Sequence, residues 1–180
     1  MKKIYIMFSY TGTLFSKFLT LFSEEKYVHV SIALDSKFKN VYSFGRKNPR
    51  RIFPAGFVKE DLKLIYTLYS NSITRIYELE ISEDQYNKLK KIINETYINN
   101  EKMYRYNIKG LPMINFNLSY QREYHYVCSQ FCGKVLMDAG IYDFNKDYSI
   151  IKPKDLIELE NLKLIYEGRI KDYFKIEKNT

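Results

Sequence analysis

The chain has 180 residues and 46% hydrophobic content, which suffices for one domain with a packed core and hardly for two. Its 29 lysines and arginines outnumber 21 acidic residues, and the net charge of +8 favours anionic partners such as phospholipid, cell-wall polymer or nucleic acid, although solubility alone also explains it. Two cysteines exclude a disulfide scaffold, and no apolar run is long enough for a transmembrane helix.

The first elements alternate between strand and helix patterns. Residues 3–9 predict a strand, and residues 11–22 predict a turn followed by an amphipathic helix. Residues 28–35 alternate as a second strand, on which His29 shares a face with small side chains. That face leaves room for a helix that carries a thiol, although an edge strand with a solvated histidine has the same pattern. Residues 41–44 predict the partner strand of a hairpin.

The middle of the chain holds one clear strand-to-helix junction. Residues 46–68 begin with a basic, proline-containing loop and give no clear pattern after it. Residues 74–81 alternate as a strand, and Ser82 with Gln85 predicts a capping box that starts a helix. Residues 99–124 are polar and aromatic, which predicts a long irregular connection of the kind that often lines a site.

The last third is organised around an amphipathic helix that starts at Cys128 and is closed by Gly140. Pro153 predicts the start of a short helix, and residues 162–166 predict a last strand before a charged tail. We therefore expect residues 1–180 to form a single α+β domain.

Cys128 is the candidate nucleophile of this chain. It belongs to an apolar helical stripe and is, on that pattern alone, an ordinary buried thiol. Its position in the first helical turn distinguishes it, because unpaired backbone N–H groups there lower a thiol pKa and can donate to an oxyanion. Cys132 lies one turn deeper and is expected in the core. His29 is the candidate base that would hold or pass the proton.

Other interpretations of these residues remain open. His125, three residues before Cys128, is a rival base, and His125, Cys128, Cys132 and His29 nominally make a zinc set. Their spacing does not match a familiar zinc signature, so we expect neither a metal nor another cofactor. The N-terminal apolar stretch is too short for a signal sequence and lacks a small-residue cleavage site. Both cysteines are therefore expected as free thiols in a soluble, cytoplasmic protein.

Three segments of the sequence resemble a known family. They are Tyr27-Val28-His29-Val30-Ser31-Ile32-Ala33-Leu34-Asp35, then Val41-Tyr42-Ser43, then Tyr126-Val127-Cys128-Ser129-Gln130-Phe131. In this order they resemble the circularly permuted papain-like cysteine hydrolases of the NlpC superfamily, particularly the YiiX-like group. The lecithin:retinol acyltransferases are more distant relatives. The resemblance implies an antiparallel sheet packed against a nucleophile helix, and it spans most of the chain.

The resemblance also implies roles for individual residues. Cys128 corresponds to the nucleophile, His29 to the general base, and Ser43 to the polar third residue that orients the imidazole. Serine departs from the family pattern, because a hydroxyl stabilises imidazolium less than a carboxylate does. Asp35 is the alternative third group. In the oxyanion hole, the Cys128 N–H is expected as one donor, with Tyr10 as a second.

The expected substrate is a small molecule, peptide or lipid with an amide, peptide or acyl-ester bond. Ser129 beside the nucleophile and Arg46 in the basic loop are expected to bind it, and Arg46 suits an anionic group. The competing hypothesis is a non-catalytic binding module of the same fold that holds an anionic lipid or polymer. Specific nucleic-acid binding is not expected, whereas peripheral membrane contact is compatible with the charge.

Overall fold

The computed structural model describes residues 1–23 and 25–178, with side chains as far as residue 175. Its strands are β1 (Lys2–Tyr10), β2 (His29–Ala33), β3 (Val41–Arg46), β4 (Ala55–Lys59), β5 (Ile73–Ile81), β6 (Arg105–Tyr106), β7 (His125–Tyr126) and β8 (Lys163–Arg169). Six of them form one antiparallel sheet in the order β4-β3-β2-β1-β5-β8, and β6 pairs with β7 in parallel.

The helices lie on both faces of this sheet. They are α1 (Leu14–Thr20), α2 (Leu62–Leu68), α3 (Glu83–Ile92), α4 (Gly110–Asn115), α5 (Cys128–Asp138), α6 (Pro153–Ile157) and α7 (Ile170–Lys178). A π-helical turn, Ile93–Ile98, extends α3, and a 3₁₀ turn, Tyr148–Ile150, precedes α6. Within the described residues, no helix has the length and apolar character needed to cross a membrane.

Alternate side chains of the sheet point to opposite faces and form two hydrophobic cores of unequal size. On one face Val30, Ile32 and Phe44 belong to the larger core, which α5 covers. On the other face Tyr5 and Met7 belong to a smaller core under α2 and α7. The larger core contains a cluster of aromatic rings that contact one another, formed by Phe44, Phe57, Tyr97, Tyr104, Tyr126 and Phe131. Helix α5 is therefore held against the sheet over most of its length.

The α+β class and most of the expected elements are confirmed. The first strand and helix, the β2–β3 hairpin and the final strand form where the pattern indicates. The capping box before α3 is present, because Ser82 Oγ accepts from Gln85 N and Gln85 Oε1 accepts from Ser82 N. These elements depend on local periodicity and capping, which the sequence displays directly.

Two expectations about the fold were wrong, and two segments for which the sequence predicts no element contain regular structure. Helix α5 packs on the Val30 and Ile32 face of β2, and not on the face that carries His29, because the large apolar side chains of β2 that its apolar stripe can contact lie on that face. The segment 46–68, which has no clear pattern, contains β4 and α2, and the irregular connection 99–124 contains β6 and α4. The charged tail forms α7, whose aromatic residues pack under the sheet.

The first turn of α5 is fixed by buried hydrogen bonds from neighbouring segments. Gln130, which is 1% exposed, accepts from Val127 N at 2.9 Å and donates to Ser149 O at 2.6 Å. Ser129 Oγ donates to Ile151 O at 2.7 Å. Because these groups have no access to water, each hydrogen bond holds the helix start in one position. Cys128, the first residue of α5, is positioned by these bonds.

We expect Gln130→Met to lower the free energy of unfolding by about 1–3 kcal/mol, because it leaves the buried Val127 N–H and Ser149 C=O unpaired. Urea denaturation measures the change. The matched control is Gln121→Met, which removes an exposed hydrogen bond to Asp147 and should change stability by less than about 0.5 kcal/mol. Equal losses in both variants would contradict the anchoring role of Gln130.

Candidate active site

His29 lies beyond the point where the backbone pairing between β2 and β3 ends. The ladder between these strands pairs Ile32 with Tyr42 and Ala33 with Val41, whereas β2 pairs with β1 as far as His29. Gly45 of β3 gives the imidazole room, since a Cβ built there would lie 3.3 Å from His29 Cε1. The ring therefore lies against the backbone of β3, beyond the end of the ladder.

A buried carboxylate holds the imidazole. His29 Nε2 lies 2.6 Å from Glu60 Oε1, and the two side chains are 20% and 8% exposed. Glu60 directly follows β4, whose pairing with β3 carries the carboxylate to the face of the sheet that bears His29. Ser43 Oγ, fully buried on β3 between them, donates to the same carboxylate oxygen. Because Nε2 is engaged by Glu60, Nδ1 is the ring nitrogen left for the thiol.

The charges of this pair stabilise each other. Burial alone would lower the pKa of His29, but the Glu60 charge and hydrogen bonds to Cys128 and Glu60 outweigh it and raise the pKa. Burial alone would raise the pKa of Glu60, but the His29 charge and hydrogen bonds from His29 and Ser43 lower it. We therefore expect an imidazolium–carboxylate pair at neutral pH.

The Cys128 thiol meets this pair from the helix side of the sheet. Its sulfur lies 3.9 Å from Val28 O, and the residue is 3% exposed. Burial would raise the pKa of the thiol, but the hydrogen bond and charge of His29, with backbone N–H groups of Val30 and Ser129, lower it. One turn further along α5, burial raises the pKa of Cys132 well above its ordinary value. The two buried thiols of one helix are thus shifted in opposite directions.

Tyr106 places a hydroxyl beside the thiol. The residue is 6% exposed, and its buried hydroxyl makes no hydrogen bond of ordinary geometry among the described residues, although it interacts with the Cys128 sulfur. Burial, with the charge of Cys128 and a hydrogen bond to it, raises the pKa of Tyr106 well above its ordinary value, so the hydroxyl keeps its proton. A buried donor without a well-aligned acceptor is costly, and such groups often mark a place where a ligand atom binds. Tyr106 is therefore a candidate oxyanion donor.

The residues expected to bind substrate have separate positions. Arg46 lines a cavity of about 160 Å³ on the His29 side, where Nη1 donates to Pro49 O at 2.6 Å and its charge helps to lower the pKa of Glu60. Ser129 lines the cavity on the Cys128 side, but its hydroxyl is bonded to a backbone carbonyl, so its backbone N–H is the group that faces the thiol. Tyr10, at the end of β1, lines neither cavity.

The cavity on the Cys128 side has a volume of about 400 Å³. Its lining combines apolar side chains with charged ones, among them Glu25, Lys152 and Lys154, and comes from α1 and the segment after it, α4, the start of α5 and the start of α6. Leu19 of α1 lines both cavities, so α1 lies between the His29 side and the Cys128 side of the site. A substrate that reaches both reactive groups must therefore pass close to α1.

The remaining candidates lie outside this arrangement. His125, in β7, has Nδ1 2.7 Å from Glu123 O, and the part of the chain described by the structure contains no group of three or more His, Cys, Asp or Glu arranged around a metal position. Asp35, the alternative partner of His29, accepts from the backbone N–H groups of Lys39 and Asn40 and closes the hairpin turn. The Asp35 carboxylate therefore stabilises the turn between β2 and β3.

Sequence reasoning missed Glu60 and Tyr106. Ser43 was predicted to be the direct partner of the imidazole, but Glu60 has that role. Ser43 instead donates a hydrogen bond to the Glu60 carboxylate. An acidic pair after the strand-like run 55–58 was the available signal for Glu60. Tyr106 lies in the segment expected to be irregular, and nothing in its local pattern separates it from the other tyrosines.

The site has a defined chemical capacity. Ser43, Glu60, His29 and Cys128 form a continuous series of polar contacts that ends at a thiol in the first turn of a helix. Such a series holds a thiolate–imidazolium pair near neutral pH and supplies one proton.

No protein-family model, curated protein or solved structure matches this chain.

The lowered pKa of Cys128 predicts fast alkylation by iodoacetamide at pH values below the ordinary thiol pKa of about 8.5. In Glu60→Gln the imidazolium loses its counter-charge, so the midpoint of the rate–pH profile should rise by about one pH unit or more. Cys132 is the internal control for accessibility, and Glu101→Gln, at an exposed ion pair with Lys47, is the control variant. An unchanged profile in Glu60→Gln would show that the carboxylate does not act on the thiol.

Gly45→Ala tests the position of the imidazole. The new Cβ would lie 3.3 Å from His29 Cε1 and 3.6 Å from Ser43 Oγ, so the ring must shift away from β3. We expect alkylation of Cys128 at pH 7 to slow by about tenfold, the effect of one unit in thiol pKa. Urea denaturation and circular dichroism check that the variant folds, and normal alkylation in a folded variant would contradict the positioning role of Gly45.

Proposed function

We propose that this protein is a cysteine hydrolase or acyltransferase in which Cys128 is the nucleophile, His29 the general acid–base and Glu60 the residue that positions His29. The single observation that carries the proposal is the polar series from Ser43 through Glu60 and His29 to a thiol of lowered pKa. Structural ion pairs also shift pKa values, but here the shifted thiol lines a cavity.

In the proposed reaction the Cys128 thiolate attacks the carbonyl carbon of an amide or ester, and a C–S bond forms while the carbonyl oxygen becomes an oxyanion. His29 Nδ1–H donates its proton to the leaving nitrogen or oxygen, whose bond to carbon then breaks and leaves a thioester. Neutral His29 next takes a proton from water, or from another acceptor, as that molecule attacks the thioester. The C–S bond breaks, and the thiolate and imidazolium are restored.

The oxyanion is stabilised by the backbone N–H of Cys128 and by the Tyr106 hydroxyl. The first is one of the unpaired N–H groups in the first turn of α5, whose intrahelical bonds begin with Phe131 N to Val127 O. The second is the buried hydroxyl beside the sulfur, which makes no hydrogen bond of ordinary geometry among the described residues. Donors fixed in a dry site act on developing charge without reorganisation.

The same observations support a family proposal. We infer a circularly permuted papain-like fold of the NlpC superfamily, in the YiiX-like group, from the order of the histidine strand and the cysteine helix and from the sheet packed against that helix. Glu60 supplies the carboxylate that Ser43 lacks, so the departure at Ser43 no longer weakens the comparison. The position of Arg46 near His29 suits an anionic leaving group.

The proposed function predicts a covalent acyl-enzyme. We expect p-nitrophenyl acetate or p-nitrophenyl octanoate to acylate Cys128, as seen by peptide mass spectrometry, and Cys128→Ala to abolish the adduct while Cys132→Ala retains it. Tyr106→Phe should slow acylation by about 10²-fold but slow iodoacetamide alkylation much less, because alkylation forms no oxyanion and loses only the interaction of the hydroxyl with the sulfur.

Tyr104→Phe, in the adjacent aromatic cluster, is the matched control for loss of a tyrosine hydroxyl outside the lining of the Cys128 cavity. Slow, ordinary alkylation of Cys128 together with no acyl adduct from either ester would overturn the proposal and favour a binding module. Equal effects of Tyr106→Phe on acylation and alkylation would remove Tyr106 from the oxyanion hole.

A further inference from the structure

The mouth of the Cys128 cavity carries exposed apolar side chains on one face of α1. Leu14, Phe18 and Leu21 recur at helical spacing and are 75%, 37% and 74% exposed. Phe15 and Leu19, on the opposite side of the same helix, are buried. Leu21 and Leu19 both line the Cys128 cavity, so the C-terminal end of the stripe lies at its edge, whereas Phe15 near the other end of the helix lines the His29 cavity. Phe18 packs edge-on against Phe22, with ring centroids 5.3 Å apart, whereas Leu14 and Leu21 leave about three quarters of their surface exposed although the helix is already held by its buried side.

A second apolar tip lies across the same cavity. Ile114 and Asn115 at the end of α4 line the cavity, and the turn that follows them exposes Phe116 and Leu118 by 74% and 55%. Asn117 between them has a φ of 54°, so the turn is sharp, and Leu118 N donates to Met113 O at 2.9 Å. Two separate elements thus present large apolar side chains around one opening.

Lysines accompany these apolar groups. Lys17 lies on the exposed side of α1 between Leu14 and Leu21, and Lys152 and Lys154 line the cavity opposite it. Lys154 also contacts Glu158, and Glu25 is the acidic residue of the lining, so the rim has a positive balance among the described residues. Exposed leucine and phenylalanine flanked by lysines suit a membrane interface, where the apolar groups enter the acyl region and the lysines meet the headgroups.

We propose that this rim, formed by the exposed faces of α1, the turn after α4 and the lysines at the start of α6, docks on an anionic lipid bilayer. Its exposed apolar side chains lie on separate elements around the mouth of the Cys128 cavity. A flat protein surface could contact these side chains only by leaving the cavity empty. Fluid acyl chains adapt to such a shape, and the lysines then meet the lipid headgroups. Docking leaves the Cys128 cavity open towards the lipid.

The docking proposal does not rest on the chemistry of Cys128. A binding module with the same rim would dock equally well, so vesicle binding should be the same in Cys128→Ser. If the enzyme is a hydrolase, the arrangement gives an apolar acyl group a direct route from the bilayer into the cavity of about 400 Å³.

Vesicle sedimentation tests the docking surface with the full chain. We expect binding to phosphatidylglycerol–phosphatidylcholine vesicles, weaker binding to pure phosphatidylcholine, and loss of affinity at high salt. Leu14→Ser with Leu21→Ser should weaken binding at least tenfold, since two large apolar groups then no longer enter the interface. Lys152→Ala with Lys154→Ala should weaken it by about tenfold or more.

The controls lie on other surfaces of the same chain. Phe53→Ser with Leu164→Ser removes apolar groups that are 57% and 46% exposed, and Lys37→Ala with Lys39→Ala removes lysines from the groove beside α2. Both should retain full binding. The proposal is overturned if no vesicle binds, if the control variants lose as much affinity as the rim variants, or if gel filtration shows a dimer that Leu14→Ser with Leu21→Ser separates.

Discussion

The contact between Glu60 and His29 is the interaction on which the candidate site depends. A buried carboxylate is tolerated only when it is paired and hydrogen-bonded, and here the pairing spans the end of β4, the middle of β3 and the start of β2. The lowered pKa of Glu60 contributes stability above the pKa of the unfolded chain, and this is lost as pH falls through the folded value. The raised pKa of His29 contributes stability below its unfolded value of about 6.5, and this is lost as pH rises through the folded value.

The early end of the β2–β3 ladder explains how groups on opposite faces meet. His29, Ser43 and Glu60 lie on the face opposite to α5, and a continuous ladder would separate them from the helix. The ladder stops at Ile32 and Tyr42, so the edge of β2 before it is free to donate the Val30 N–H to the Cys128 sulfur. The same gap admits the imidazole, for which Gly45 provides the space. The irregularity in the sheet is therefore what assembles the site.

The sequence predicted the elements whose signals are local. The strand with His29, the capping box at Ser82 and the helix beginning at Cys128 follow from periodicity and caps within about ten residues. Glu60 could not be recognised, because its role arises from the pairing of β3 with β4, a long-range contact that leaves little local pattern. Tyr106 is likewise brought beside the thiol by the short β6–β7 pairing, in a segment without periodicity. The prediction that α5 packs on the His29 face of β2 was wrong, because the small residues on that face leave space for the imidazole and not for a helix.

Cys128 and Cys132 separate the effects of burial from those of neighbours. Both lie on α5, and both are nearly inaccessible, at 3% and 0% exposed. Burial acts on both thiols in the same direction, towards a higher pKa, but only Cys128 has an imidazolium and unpaired N–H groups beside it. The difference comes from the imidazolium held by Glu60, from the edge of β2 and from the N–H groups in the first turn of α5, none of which lowers the pKa of Cys132. The lowered pKa of Cys128 is thus a property of the sheet as much as of the helix that carries it.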